Sequence, residues 1–314
     1  MATKALIFPA MLWVAAFVAS VLPAFAQPEP MLTTILSSPA AQFTILGDPN
    51  HGNLDRKKFL ASDEFIDSLV AAHVKKVFFE YTHELQPQMD NVARGYVTPE
   101  QFAVYLTETG MGFSGARGAD GQYKAGVYLG MMIKKLADKG IRFFAYDYRG
   151  MTANSENAGK ILDRVYGCYA DETKSALMKS NTISAAFEAF RRYAEMRERF
   201  FDDRYMAQTI VAAAGTDRSV VLPGAGHVVN PTGLDLWLGR KTGKARVAIL
   251  YVTGELDDYV KYMLMLARDT GIDLDRSPDV YYNLLEHTAS PNPPDGDVKR
   301  LRNAKGRGWL GPTC

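Results

Sequence analysis

Apolar residues recur along the chain in two rhythms. Short unbroken runs stop abruptly at turn or charged residues: "QFTILGD" (42–48), "VKKVFFEY" (74–81), "IRFFAYDYRG" (141–150), "RSVVLPGAGH" (218–227) and "ARVAILYVT" (245–253). This is the pattern of strands buried on both faces. Between them, apolar positions return at helical spacing. "DRKKFLASDEFIDSLVAA" (55–72) places Phe59, Leu60, Ile66, Leu69 and Val70 near that spacing. "TPEQFAVYLTET" (98–109) opens with Thr98 as cap and Pro99 at the first helical position. "AGVYLGMMIKKLADKG" closes at Gly140, and "ISAAFEAFRRYAEMRERFFDDRYMAQTIVAAAG" closes at Gly215. Residues 155–180 read as short helices and "TGLDLWLG" (232–239) as one more. "GARGADGQ" (115–122) matches neither a phosphate loop nor a dinucleotide fingerprint and reads as a mobile glycine-rich loop.

Strands alternating with helices predict an α/β fold: a largely parallel central sheet covered by helices. In such sheets ligands bind beyond the carboxyl ends of the strands. The residues that stand there are therefore informative. The first strand ends in Asp48 and His51, the second in Glu80, Tyr81 and His83, the third in Asp147 and Arg149, the fourth in "GAGH" with His227. A turn calls for Gly, Pro, Asn or Asp; it does not call for an imidazole. Histidine titrates near neutrality and takes a proton from water. A neighbouring carboxylate orients the ring and stabilises its cation, the logic of a catalytic triad without the serine. Asp48, His51, Glu80 and His227 serve equally as ligands for a divalent transition metal. Asp147, Arg149 and Tyr81 are the candidates for contacting a small-molecule substrate. Tyr81, Tyr146 and Tyr148 stand near the same rim, either as ordinary amphipathic edge residues or as groups that stack on a ligand or bind haem iron. Phe187, Phe190, Tyr193, Phe200 and Met206 on the long helix read as core, and His73 and His287 as structural or surface groups. Neither a G-x-S-x-G elbow nor an H-E-x-x-H helix occurs.

Composition narrows the classes. The chain has 314 residues, 47% hydrophobic, with a formal net charge of +1. No basic face interleaved with aromatics is present, which argues against nucleic-acid binding. The N-terminus has Lys4, an apolar stretch from Ala5 to Leu22 and "AFA" before Gln27. That pattern predicts a signal peptide over 1–26 and a periplasmic or secreted product, with no stable membrane span after cleavage. In that compartment Cys168 and Cys314 either pair or remain a buried and an exposed thiol. A single α/β domain over 27–285 is expected, followed by a Pro/Gly-rich, basic and loose tail over 286–314.

"GDPNHG" (47–52) resembles the G-E-x-x-H-G turn of the erythromycin esterase family, with Asp48 where that family has Glu. Related groups are the TraB/Tiki proteases and the haem-binding ChaN-like proteins. Their shared pattern is a His turn after the first strand, a Glu after the second, an Arg…Met-Ala helix and a late G-x-G-H turn. The chain matches it in order with His51, Glu80, "DRYMAQTI" (Arg204, Met206) and "GAGHVVN" (His227), over residues 43–252. The resemblance implies a hydrolase acting on an ester or amide without a cofactor. Asp48 and His51 would then activate water, and Glu80, Arg204 and His227 would complete the pocket. The neighbouring groups imply two alternatives: a ligand holder, for haem, without turnover, or a metal-dependent peptidase. Gly47 and His51 are four positions apart where the Tiki-type pattern has three, which argues against the peptidase.

Overall fold

The computed structural model describes residues 31–111, 118–148, 198–228, 233–252, 255–256 and 278–291. The expected signal peptide, the helices of 155–180, Arg149, Cys168, Cys314, the core aromatics Phe187, Phe190 and Tyr193 and the side chain of Phe200 lie outside what it describes.

An open seven-stranded sheet organises the chain. Its strands are β1 (Phe43–Gly47), β2 (Lys76–Thr82), β3 (Arg142–Asp147), β4 (Ser219–Leu222), β5 (Ala245–Tyr251), β6 (Val280–Asn283) and β7 (Thr288–Ser290), in the spatial order β3-β2-β4-β1-β5-β6-β7. The first six strands are mutually parallel, and only β7 runs antiparallel, against β6. β1 is central, with Ile45 opposite Val221 on one side and Val247 on the other. The carboxyl ends of β1, β2 and β4 therefore share one rim.

Eight α-helices are described: α1 (Met31–Leu36), α2 (Leu54–Leu60), α3 (Asp63–Ala71), α4 (Gln86–Ala93), α5 (Pro99–Thr109), α6 (Gly118–Asp138), α7 (Glu198–Ala214) and α8 (Leu234–Trp237). They cover both faces of the sheet. Phe43, Ile45, Phe78 and Val221 pack with Met206, Ala207 and Ile210 of α7 on one face. Leu46, Val77, Phe79 and Val220 pack with Phe65, Leu69 and Ile133 on the other. Alternate residues of each strand thus enter different cores, which is why the strands read as unbroken apolar runs. Among the described residues no helix is long and apolar enough to cross a membrane.

Local chemistry sets the ends of these elements. Thr98 and Gln101 form a capping box at α5. Gly140 and Gly215 take positive φ where α6 and α7 end. Lys76, buried at the start of β2, donates to the carbonyls of Ala213 and Ala214 and so ties the last turn of α7 to the sheet.

The structure differs from the sequence reading in four places. The helical pattern over 55–72 is two helices, because Ser62 Oγ accepts the Phe65 N–H and starts a new one. The second half of the expected glycine-rich loop is the first turn of α6, which begins at Gly118. Tyr146 and Tyr148 are fully buried instead of standing at a rim. In addition Thr288–Ser290, inside the stretch read as a tail, pair with β6.

Candidate functional site

The turn after β1 is built around Asp48. Its backbone extends the sheet by one bridge to Gly224, with Asp48 N–H donating to the Pro223 carbonyl and Ala225 N–H to the Asp48 carbonyl. Its side chain accepts the Asn50 N–H at 2.8 Å, and Asn50 in turn accepts the Gly52 N–H. These two Asx-type bonds fold the chain back and carry His51 over the sheet edge. His51 Nδ1 then lies 3.4 Å from Asp48 Oδ2. The pairing of strand-end acid and imidazole expected from "GDPNHG" is therefore present.

Three residues beyond the turn, α2 begins. Asn53 caps it through the Arg56 N–H and also donates to Glu255. Arg56 is 1% exposed and uses most of its donors: Nε to the Leu250 carbonyl at 3.0 Å, Nη1 to Asp48 and to the Asn50 carbonyl, Nη2 to Glu255. Burial raises the Asp48 pKa, but Arg56 foremost, then His51 and Lys57, outweigh it and hold it at about 2. A carboxyl this far below its ordinary 3.8 contributes about 2 kcal/mol to stability. Because the folded pKa is the lower one, that contribution is full above pH 4 and is lost as pH falls toward 2. Urea unfolding of wild type and Asp48→Asn across this range is expected to show a stability difference that narrows with acid; a constant difference would contradict the assignment.

On the far side of the rim, Glu80 at the end of β2 accepts the Gly224 N–H through Oε2, and its Oε1 lies 3.2 Å from His227 Nε2. His227 Nδ1 is 2.5 Å from Asp203 Oδ1. All three side chains are buried. Both imidazole nitrogens face carboxylate oxygens, and a neutral ring supplies one N–H only. The Asp203–His227–Glu80 relay thus has an acid on each side of one ring. Gly224 is the hinge between the two halves. A Cβ there would meet His51 Nε2 at 2.5 Å and Glu80 Oε2 at 3.4 Å, so glycine is what lets the two groups close on the β4 turn.

Asp48, His51, Glu80 and Tyr81 line a cleft enclosing about 580 Å³ of empty space, part of it open to solvent. Arg56 and Lys57 stand on the same charged side. Burial lowers the Lys57 pKa against the pull of Asp48 and Glu80. The Tyr81 phenol is pushed well up by burial and by the same two carboxylates, so it remains an O–H donor. His227 does not line the cleft but stands behind Glu80.

Two of the sequence candidates lie elsewhere. Arg204 is exposed on α7 with its guanidinium 5.5 Å from the centre of the Trp237 ring. Its neighbour Asp203 is the residue that reaches His227. Asp147 is buried at the end of β3, outside the cleft lining, where its charge acts on His83. Burial lowers the His83 pKa, and Asp147 and the Tyr146 backbone oppose it. Of the four groups considered as metal ligands, Asp48 faces Arg56 and His51, Glu80 faces Gly224 and His227, and His227 also faces Asp203. Among the described residues no three His, Cys, Asp or Glu side chains are arranged to hold a metal ion.

Sequence reasoning missed Arg56, Glu255, Lys57 and Asp203. Asp203 left a signal: it shares a helical stripe with the buried Met206, Ala207, Ile210 and Ala214, and an acid on an apolar stripe needs a buried partner.

No protein-family model matches the chain, and no curated protein matches it. Similar solved structures include the erythromycin esterase EreC in its open conformation (13% identity, 71% of this chain and 72% of that one, TM-score 0.43). They also include a succinoglycan biosynthesis protein (12%, 71% and 68%, TM-score 0.43). A third is ChaN of Campylobacter jejuni, in a structure of cofacial haem binding (16%, 74% and 89%, TM-score 0.37). At these values the likeness carries no argument about this chain, and the chemistry is argued from the site alone.

Proposed function

We propose that the protein is an exported hydrolase in which His51 activates water for attack on the carbonyl of an ester or amide. The observation that carries the reading is the Asp48–His51 pair at the cleft. An ionised Asp48 takes its hydrogen bond from Nδ1–H, which selects the tautomer whose basic nitrogen is Nε2, beside Gly224 and Glu80. Water gives a proton to Nε2 as its oxygen bonds to the carbonyl carbon. Tyr81, held protonated, donates to the carbonyl oxygen as it becomes an oxyanion, and Lys57 adds positive charge on that side. Collapse breaks the bond to the leaving oxygen or nitrogen, which takes the proton back from His51. The Asp203–His227–Glu80 relay fixes Glu80 against the Gly224 N–H and keeps the wall of the cleft rigid. Arg204 has no step in this scheme.

Purified protein assayed against a panel of uncharged esters, with and without EDTA, tests the reading. Hydrolysis that survives chelation supports it. Activity lost to EDTA and restored by manganese or zinc would make Asp48, His51, Glu80 and His227 metal ligands instead. A Soret band in protein from haem-fed cells, with no hydrolysis, would make the cleft a haem site. For export, N-terminal sequencing of protein from the periplasm or medium is expected to begin near Gln27; a retained Met1 on a membrane-bound product would contradict it.

A further inference from the structure

Part of the cleft lining is one stripe of α6: Ala125, Tyr128, Leu129 and Met132, spaced three and four apart. Leu46 and Phe79 of the strand ends continue it beneath. The lining also carries two basic side chains, Arg56 and Lys57, and two acidic ones, Asp48 and Glu80, so neither type predominates. We infer that the substrate is an uncharged ester or amide with an extended apolar acyl group, and that this group lies along the α6 stripe. The inference rests on the hydrolase reading for the reaction, and on the cleft alone for the ligand's shape and charge. An anionic acyl tail would have to lie along a wall that gives it no partner. An alkyl chain needs only the wall, and each methylene moved from water onto it improves binding about fourfold.

Calorimetric binding of acetamide, octanamide and octanoate to wild type and to His51→Ala tests this without requiring turnover. Octanamide is expected to bind at least tenfold tighter than acetamide, and octanoate no tighter than octanamide. Ala125→Trp, which fills the stripe, is expected to remove most of the octanamide preference. Met132→Ala, which shortens the wall with less strain on the helix, is expected to reduce it about threefold. Equal affinity for the two amides, or tighter binding of octanoate, would overturn the inference. If octanamide binds as expected while no ester is hydrolysed, the hydrolase reading fails and the ligand assignment stands. If esters from acetyl to octanoyl are hydrolysed alike and the amides bind alike, the assignment fails and the hydrolase reading stands.

Discussion

Arg56→Met is expected to destabilise the protein by about 3–5 kcal/mol, the cost of breaking a buried ion pair from one side. The guanidinium is 1% exposed and lies between two carboxylates, Asp48 and Glu255, while also closing the carbonyls of Asn50 and Leu250. Methionine fills a similar volume but leaves the buried Glu255 and the partly buried Asp48 without that cation, and takes one donor from each carbonyl. Lysine is expected to rescue little, since a single ammonium does not reproduce a fork aimed in three directions. Arg204→Ala provides the contrast: that side chain is exposed, and its loss is expected to stay within about 0.5 kcal/mol. Urea unfolding of the three variants checks the set. Equal effects of Arg56→Met and Arg204→Ala would remove Arg56 from its place as the anchor of the Asp48–His51 turn.

His51→Ala is expected to lower ester turnover by about 10²–10⁴-fold, the range for loss of a general base. Its side chain is 34% exposed, so unfolding free energy is expected to change by less than about 1 kcal/mol. The combination matters: large kinetic loss with small thermodynamic loss separates a chemical role from a structural one. His227→Ala is expected to do the reverse, because the ring is buried and both Asp203 and Glu80 lose the imidazole they face. A His51→Ala enzyme with full activity would end the water-activating role of the turn.

Much of this architecture was legible because parallel strands covered on both faces leave a strong linear trace. "FTILG" and "ARVAILY" have no polar face to confuse the pattern, and strand ends in such a sheet fall on one rim by topology. That is why Asp48, His51, Glu80 and His227 could be grouped although 179 positions separate the first from the last. The partners that hold them were harder to see. Arg56 meets Glu255 across 199 positions, and nothing local in "LDRKKFL" distinguishes it from the exposed Lys58 beside it. Arg204 and Asp203 show the same limit at finer scale. A motif that spans both residues does not say which one turns inward, whereas the 203, 206, 207, 210 and 214 stripe does. The rim tyrosines misled for a simple reason: Tyr146 and Tyr148 stand at a strand end but face the core, and a phenol is compatible with either surrounding.

The most direct measurement is hydrolysis of an uncharged ester by EDTA-treated protein in ¹⁸O-labelled water, run beside His51→Ala. The account predicts linear product formation with no initial burst and label in the acid product. It also predicts no acyl-protein trapped by hydroxylamine and a rate at least about 100-fold above the variant. A burst with a trapped acyl-protein, or a wild-type rate no higher than that of His51→Ala, would contradict it.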